Sequence, residues 1–210
     1  MALLPGVDGQ RGSRGLRGAP GSLWRLYQAL PPSLRGAIER LSWAASLKSR
    51  LLEVSPARVL GVISQLEAAG VSVWLAGGWG VDALLGRQTR RHADVDLVVA
   101  RDDCEASDAC LTQMGYDFVV ERSVTGAGLP RSRIYRNRSG HRVDLHPVER
   151  APLPDGRAVL DLQAPGSLTT GKIAGAPVGC LSAHVQVRLH AGYPLRDEDR
   201  ADLGFLEPLI

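Results

Sequence analysis

The chain has 210 residues, 44% of them apolar and 22% charged, with a net charge of +3. That suffices for one ordinary domain with a sizeable core, and no apolar run approaches the roughly 18 residues of a membrane span. Cys104, Cys110 and Cys180 match no CxxC metal or redox spacing, and a sparse, odd set argues against a disulfide framework and for a reducing, cytoplasmic setting.

The charge is unevenly spread. Residues 1–50 carry eight basic side chains against Asp8 and Glu39, so residues 51–210 sum to −3. Nucleic-acid binding over the whole surface does not follow from such a split. Within residues 1–22, glycine recurs at every third position from Gly6 to Gly21. These triplets are too few and too poor in proline for a triple helix, and the segment reads as a disordered Gly/Arg-rich tail without the apolar core of a secretory signal.

Residues 23–53 read as a basic amphipathic arm of two short helices. Leu23, Leu26, Tyr27 and Leu30 share one face, Pro31-Pro32 interrupts, and Leu34, Ile38, Leu41 and Ala45 resume the spacing. Such a helix packs on its own domain or on a dimer mate, or rests on an anionic membrane surface; the sequence leaves these open.

Residues 54–210 read as the third part, a catalytic domain. Ser55 caps a helix with Pro56 at its first position, Val59, Val62, Ile63 and Leu66 form its stripe, and Gly70 ends it. Val71–Ala76 reads as a strand, a helix starts near Trp79 and closes at Gly86, and Val95–Val99 reads as a central strand. Asp102 or Asp103 caps a helix running to Met114. Strands are expected at about 117–121, 133–136 and 142–145, then helices near 182–191 and 197–206. Helices interrupting a small sheet define an α/β (α+β) class.

Three segments carry chemistry together. In the turn Ala76-Gly77-Gly78-Trp79-Gly80, glycine permits close approach of backbone to ligand, and the following helix offers unpaired N–H groups to phosphate. In His92-Ala93-Asp94-Val95-Asp96, the period of two along a strand puts Asp94 and Asp96 on one face, where a divalent cation relieves their repulsion. In Arg142-Val143-Asp144-Leu145-His146, Asp144 supplies a third carboxylate from another apolar-flanked strand. Three carboxylates with phosphate oxygens suit two Mg²⁺ ions at an in-line displacement on phosphorus. The loop Gly86-Arg87-Gln88-Thr89-Arg90-Arg91 supplies guanidinium groups for a triphosphate, and either Arg87 or Arg91 fits that role.

This order of motifs resembles the DNA polymerase β-like nucleotidyltransferase superfamily. The run WLAGGWGVDALLGRQTRRHADVDLVV resembles more closely the lincosamide nucleotidyltransferases and the aminoglycoside 2″-adenylyltransferase-like proteins. RVDLHPV and GKIAGAPVGCLSAHVQVRLHAGYPLRDEDRADL extend the likeness over residues 56–206. The resemblance implies a cytoplasmic, Mg²⁺-dependent enzyme that transfers a nucleoside monophosphate, AMP from ATP, to a hydroxyl of an aminoglycoside or lincosamide and releases pyrophosphate. It implies that Gly77 and Gly78 contact phosphates and that Asp94 and Asp96 bind metal. Asp144 would complete the metal site or act as general base. Lys172, in the matching stretch Thr170-Gly171-Lys172-Ile173, would contact phosphate, and His190 and Tyr193 match a recurrent HxGY.

The acceptor stays open. Asp197, Glu198, Asp199 and Asp202 offer an acidic cleft for a polycationic aminoglycoside. Other readings are transfer to tRNA or protein, with the basic arm recruiting nucleic acid, transfer to a cell-envelope sugar, or nucleotide binding without turnover. Little C-terminal chain remains for a separate acceptor domain, so a pocket completed by a second subunit of a homodimer is a further reading.

Overall fold

The computed structural model describes residues 30–31, 33–34, 53–123, 131–149, 160–190 and 194–210. The glycine-rich tail, nearly all of the basic arm and Tyr193 lie outside them. The helices and strands with defined bounds all fall within the unit Leu52–Ile210.

Helix α1 (Pro56–Ala68) starts as its punctuation predicts. The Ser55 hydroxyl accepts from the Arg58 N–H at 3.3 Å, and Pro56 occupies a position whose N–H has no helical partner anyway. Its buried residues are the predicted stripe Val59, Val62, Ile63 and Leu66. Strand β1 (Val73–Ala76) then runs straight into α2 (Gly77–Leu85), so the glycine pair forms the first turn of the helix, not a loop before it. Gly86, at φ 67°, ends α2 in the left-handed conformation expected of a C-terminal glycine.

Strand β2 (Asp94–Ala100) passes through a 3₁₀ turn at Arg101–Asp103 into α3 (Cys104–Gln113). Asp103 stands at the N-cap position of α3 but makes no side-chain cap hydrogen bond there. Strands β3 (Tyr116–Ser123), β4 (Arg131–Asn137) and β5 (Arg142–Val148) lie where alternation predicts them, each somewhat longer. The hairpin of β6 (Leu168–Ile173) and β7 (Ala176–Leu181) was not expected as strands. Gly171, Gly175, Pro177 and Gly179 are poor strand formers and hide the pattern. Helices α4 (Ala183–Leu189) and α5 (Asp197–Leu206) close the chain.

The strands form one mixed sheet in the order β3-β4-β5-β2-β1-β7-β6, with β2 at its centre as expected. β2 pairs parallel with β5 and antiparallel with β1, and β1 pairs parallel with β7. Side-chain alternation then assigns two faces. Val95, Leu97 and Val99 of β2 join Val143 and Leu145 of β5 against α1, α2 and α3 in the main core. Each fully buried side chain of this size contributes about 1.5–3 kcal/mol. On the other face, Val98 and Val148 pack with Leu160, Leu162 and Val185 of α4. Apart from Ala100, the remaining positions of that face on β2 and β5 are polar.

Candidate active site

Those polar positions are Asp94 and Asp96 on β2 and Arg142, Asp144 and His146 on β5. The register pairs Asp94 with Arg142, and Asp96 with Asp144. The two predicted segments therefore meet side by side, with all five side chains projecting from one face. Asp144 is buried, while Asp94 and Asp96 are half-buried.

Arg142 spans the carboxylates. Its Nη2 lies 2.5 Å from Asp94 Oδ2 and 2.9 Å from Asp144 Oδ2, and its Nε donates to Asp144 Oδ1 at 2.7 Å. His146 Nε2 lies 3.1 Å from Asp96 Oδ1; a carboxylate only accepts, so the imidazole donates. Burial, and then the neighbouring Asp96 charge, push the Asp94 carboxyl up to about 6 against the pull of Arg142. Asp144 is raised by the same two causes in the same order. Burial pushes on Asp96 most strongly of all, yet its bond to His146 and the charges of His146, Arg142 and Arg196 prevail and hold it below the usual range.

The glycine pair explains the shape of this corner. Ala76 pairs with Asp96 across β1 and β2, which places Gly77, at φ 55°, directly over the Asp96 carboxylate. A Cβ on Gly77 would run into Asp96 Oδ2 and lie 3.0 Å from its Cγ. A Cβ on Gly78 would lie 2.5 Å from His92 Cε1 and 2.6 Å from an Arg90 guanidinium nitrogen. Gly77 therefore brings the uncapped first turn of α2, with its free N–H groups, against the carboxylates, while Gly78 admits the packing beneath it.

That packing holds the loop 86–93. Asp82, fully buried on α2, accepts from His92 Nε2 at 2.6 Å and from the Thr89 N–H at 2.9 Å. Arg90 reaches α5, where its Nη2 is 2.8 Å from the buried Asp202. Sequence reasoning singled out Arg87 and Arg91 in this loop, but the structure places neither beside the carboxylates. Arg87 stacks on Phe205 at 5.5 Å, and Arg91 pairs with Glu53 at 3.4 Å. The guanidinium groups that do bear on the carboxylates are Arg142 and Arg196. Period two in RVDLH already put Arg142 and His146 on the face of Asp144; Arg196 left no signal, since only the fold carries the start of α5 there.

The structure also places Lys172 and the acidic run of α5. Lys172 is exposed on the edge strand β6, opposite Pro177. The registers through β7 and β1 put it three strands across and four residues along from Asp96, roughly 20 Å away. The acidic run on α5 does not form an open cleft, because Asp199 is bound at 2.9 Å by Arg196 and Asp202 is bound by Arg90. Asp197 and Glu198 remain exposed. His190 is buried, its Nδ1 2.7 Å from the Gln186 carbonyl.

The donor set is of the hard oxygen type that divalent cations take: three carboxylates on two adjacent parallel strands, beside the start of α2. Among the described residues, however, no three His, Cys, Asp or Glu side chains are grouped as cation ligands, and Arg142 stands between Asp94 and Asp144. Asp94, Asp96 and Asp144 are the residues that would hold such an ion.

A mixed sheet with paired carboxylates on its central strand and a glycine-led helix over them is the polymerase β-like nucleotidyltransferase fold. The chain belongs to the aminoglycoside-2″-adenylyltransferase family, whose sequence model matches residues 58–206, and it is accordingly a nucleotidyltransferase. A lincosamide resistance protein of Staphylococcus haemolyticus is 24% identical over 156 residues, spanning 70% of this chain and 91% of that protein. A 2″-aminoglycoside nucleotidyltransferase of Escherichia coli is 32% identical over 68 residues, 29% of this chain and 38% of that protein. The lincosamide adenylyltransferase LnuA, solved with lincomycin bound, superposes with a TM-score of 0.61 at 22% identity, covering 75% of this chain and 99% of that one. No helix among the described residues is long and apolar enough to cross a membrane, and all three cysteines are free.

Proposed function

We propose that this nucleotidyltransferase moves AMP from ATP to a hydroxyl of a small antibiotic, a lincosamide or an aminoglycoside, with release of pyrophosphate in the cytoplasm. The observation that carries the reading is the register Asp96↔Asp144, which joins the carboxylate pair to a third carboxylate beside the start of α2. The lincosamide is the first acceptor to test. Likeness to the lincosamide relative spans 91% of that protein, and two of the four acids that would receive a polycation are already engaged internally.

Magnesium held by Asp94, Asp96 and Asp144 would neutralise the triphosphate and acidify the acceptor hydroxyl. The chain's own groups do the rest. The N–H groups of Gly77 and Gly78, in a first turn without a side-chain cap, would bind incoming phosphate oxygens. His146 fixes the Asp96 carboxylate by donating to Oδ1 and keeps it charged. Asp144, brought beside Asp96 by the strand register, would complete the metal site or receive the acceptor's proton. Arg196, bound to Asp199 at the solvent edge, would meet the departing pyrophosphate, since its charge bears on Asp96.

The test is transfer from each α-labelled nucleoside triphosphate with Mg²⁺ to lincomycin, to a set of aminoglycosides and to bulk tRNA, with Asp94→Asn alongside. Label on one antibiotic from ATP, absent with Asp94→Asn, is the expected result. Label on tRNA, or turnover that survives in Asp94→Asn, overturns the proposal.

A further inference from the structure

Arg142 is the one cation in direct contact with two of the three site carboxylates among the described residues. Its position differs from that of an ordinary surface ion pair. A single nitrogen, Nη2, bridges Asp94 on β2 and Asp144 on β5, while Nε completes a fork on Asp144. The pairing of Asp94 with Arg142 across the parallel ladder aims the guanidinium back over the carboxylates. With only a third of its side chain exposed, it is held on the site face and does not sweep solvent.

Three acids on adjacent strands repel, and a positive charge between them removes that cost. Asp94 and Asp144 are among the carboxylates that would hold a divalent cation, and Arg142 already satisfies the charge they share. A guanidinium fork fits phosphate oxygens as well as carboxylate oxygens, so an arriving triphosphate offers Arg142 an alternative partner.

We infer that Arg142 competes with the site cation for Asp94 and Asp144 and passes to the triphosphate when nucleotide binds, so that nucleotide and metal load together. The inference deepens the proposed function by coupling metal entry to nucleotide binding. Without nucleotide, the divalent ion must displace Arg142 with nothing to receive it. With nucleotide, the phosphates receive the guanidinium, so each ligand favours the other reciprocally.

Mn²⁺ binding to the full chain, followed by the electron spin resonance of the free ion, tests this without relying on turnover. The wild type should bind Mn²⁺ weakly alone and much more tightly with ATP and no acceptor. Arg142→Gln should bind Mn²⁺ about tenfold tighter than the wild type in the absence of ATP, since a like charge at the site is gone. ATP should then improve its Mn²⁺ affinity by a smaller factor than in the wild type. Its melting temperature should fall in metal-free buffer and recover with Mn²⁺. Arg142→Lys, which keeps charge but lacks the fork, should lie between the two, and serves if the glutamine variant does not fold. Equal or weaker Mn²⁺ binding by both variants without ATP overturns the inference, as does an ATP effect that neither variant reduces. Transfer by the wild type, measured separately with Mg²⁺, decides the proposed reaction whatever these ratios are.

Discussion

The two faces of the central strands obey opposite rules although they share the same residues in alternation. Val95, Leu97 and Val99 point into a continuous apolar core beneath three helices. Asp94 and Asp96, one residue out of phase, gather charge that only ligands and counter-charges make tolerable. The first face stabilises the sheet and thereby holds the second in register. What the comparison teaches is that the site's geometry is inherited from the core: β2 cannot slip by one residue without exposing Leu97 and burying Asp96.

The largest separation between the faces should appear in activity. Asp96→Asn is expected to lower nucleotidyl transfer by about 10³-fold or more with little change in melting temperature, read by labelled transfer and thermal unfolding in parallel. Leu97→Ala, one residue away, should do the reverse. It should cost about 2–5 kcal/mol in denaturant unfolding, while the protein that remains folded keeps its specific activity. A loss of activity in Leu97→Ala beyond its unfolded fraction would show that the faces are not separable.

The clamp beneath the loop sits between these extremes. Arg90→Ala leaves Asp202 buried without its partner and should cost about 3 kcal/mol. Acid unfolding offers a finer contrast. The Arg196 hydrogen bond and charge hold Asp199 below the usual carboxylate range, against burial. A carboxyl depressed in the folded state stabilises above its unfolded value, near 4, and that stability is lost as pH falls through the folded value. Between about pH 5 and pH 3 the wild type should therefore lose more stability than Asp199→Asn, measured by urea midpoints at each pH. The smallest effect belongs to Lys172→Ala, whose exposed edge position should leave transfer within twofold and stability within about 0.5 kcal/mol.

Much of the site was legible before folding, because a strand's period of two is a local property. Asp94 and Asp96 had to share a face, and the glycines before Trp79 had to mark a close approach. The same rule, applied fully to RVDLH, would have joined Arg142 and His146 to Asp144. The loop arginines are less legible for a different reason. Local sequence marks Arg87, Arg90 and Arg91 as available charge, and only the packing of Phe205, Asp202 and Glu53 decides where each is spent. The hairpin of β6 and β7 escaped notice because its glycines serve neighbours: Gly171 lies against the Ala83 backbone of α2, and Gly179 beneath Trp74.

The family, the order of motifs, the central apolar strand and the carboxylates it carries follow from residue order alone, since spacing and alternation act within a few residues. Only the tertiary structure decided that Asp96 stands opposite Asp144, that Arg142 bridges the two strands, and that Lys172 lies far from them. Those facts depend on which strands pair and in what register, and register is set by burying one complete face of the sheet at once.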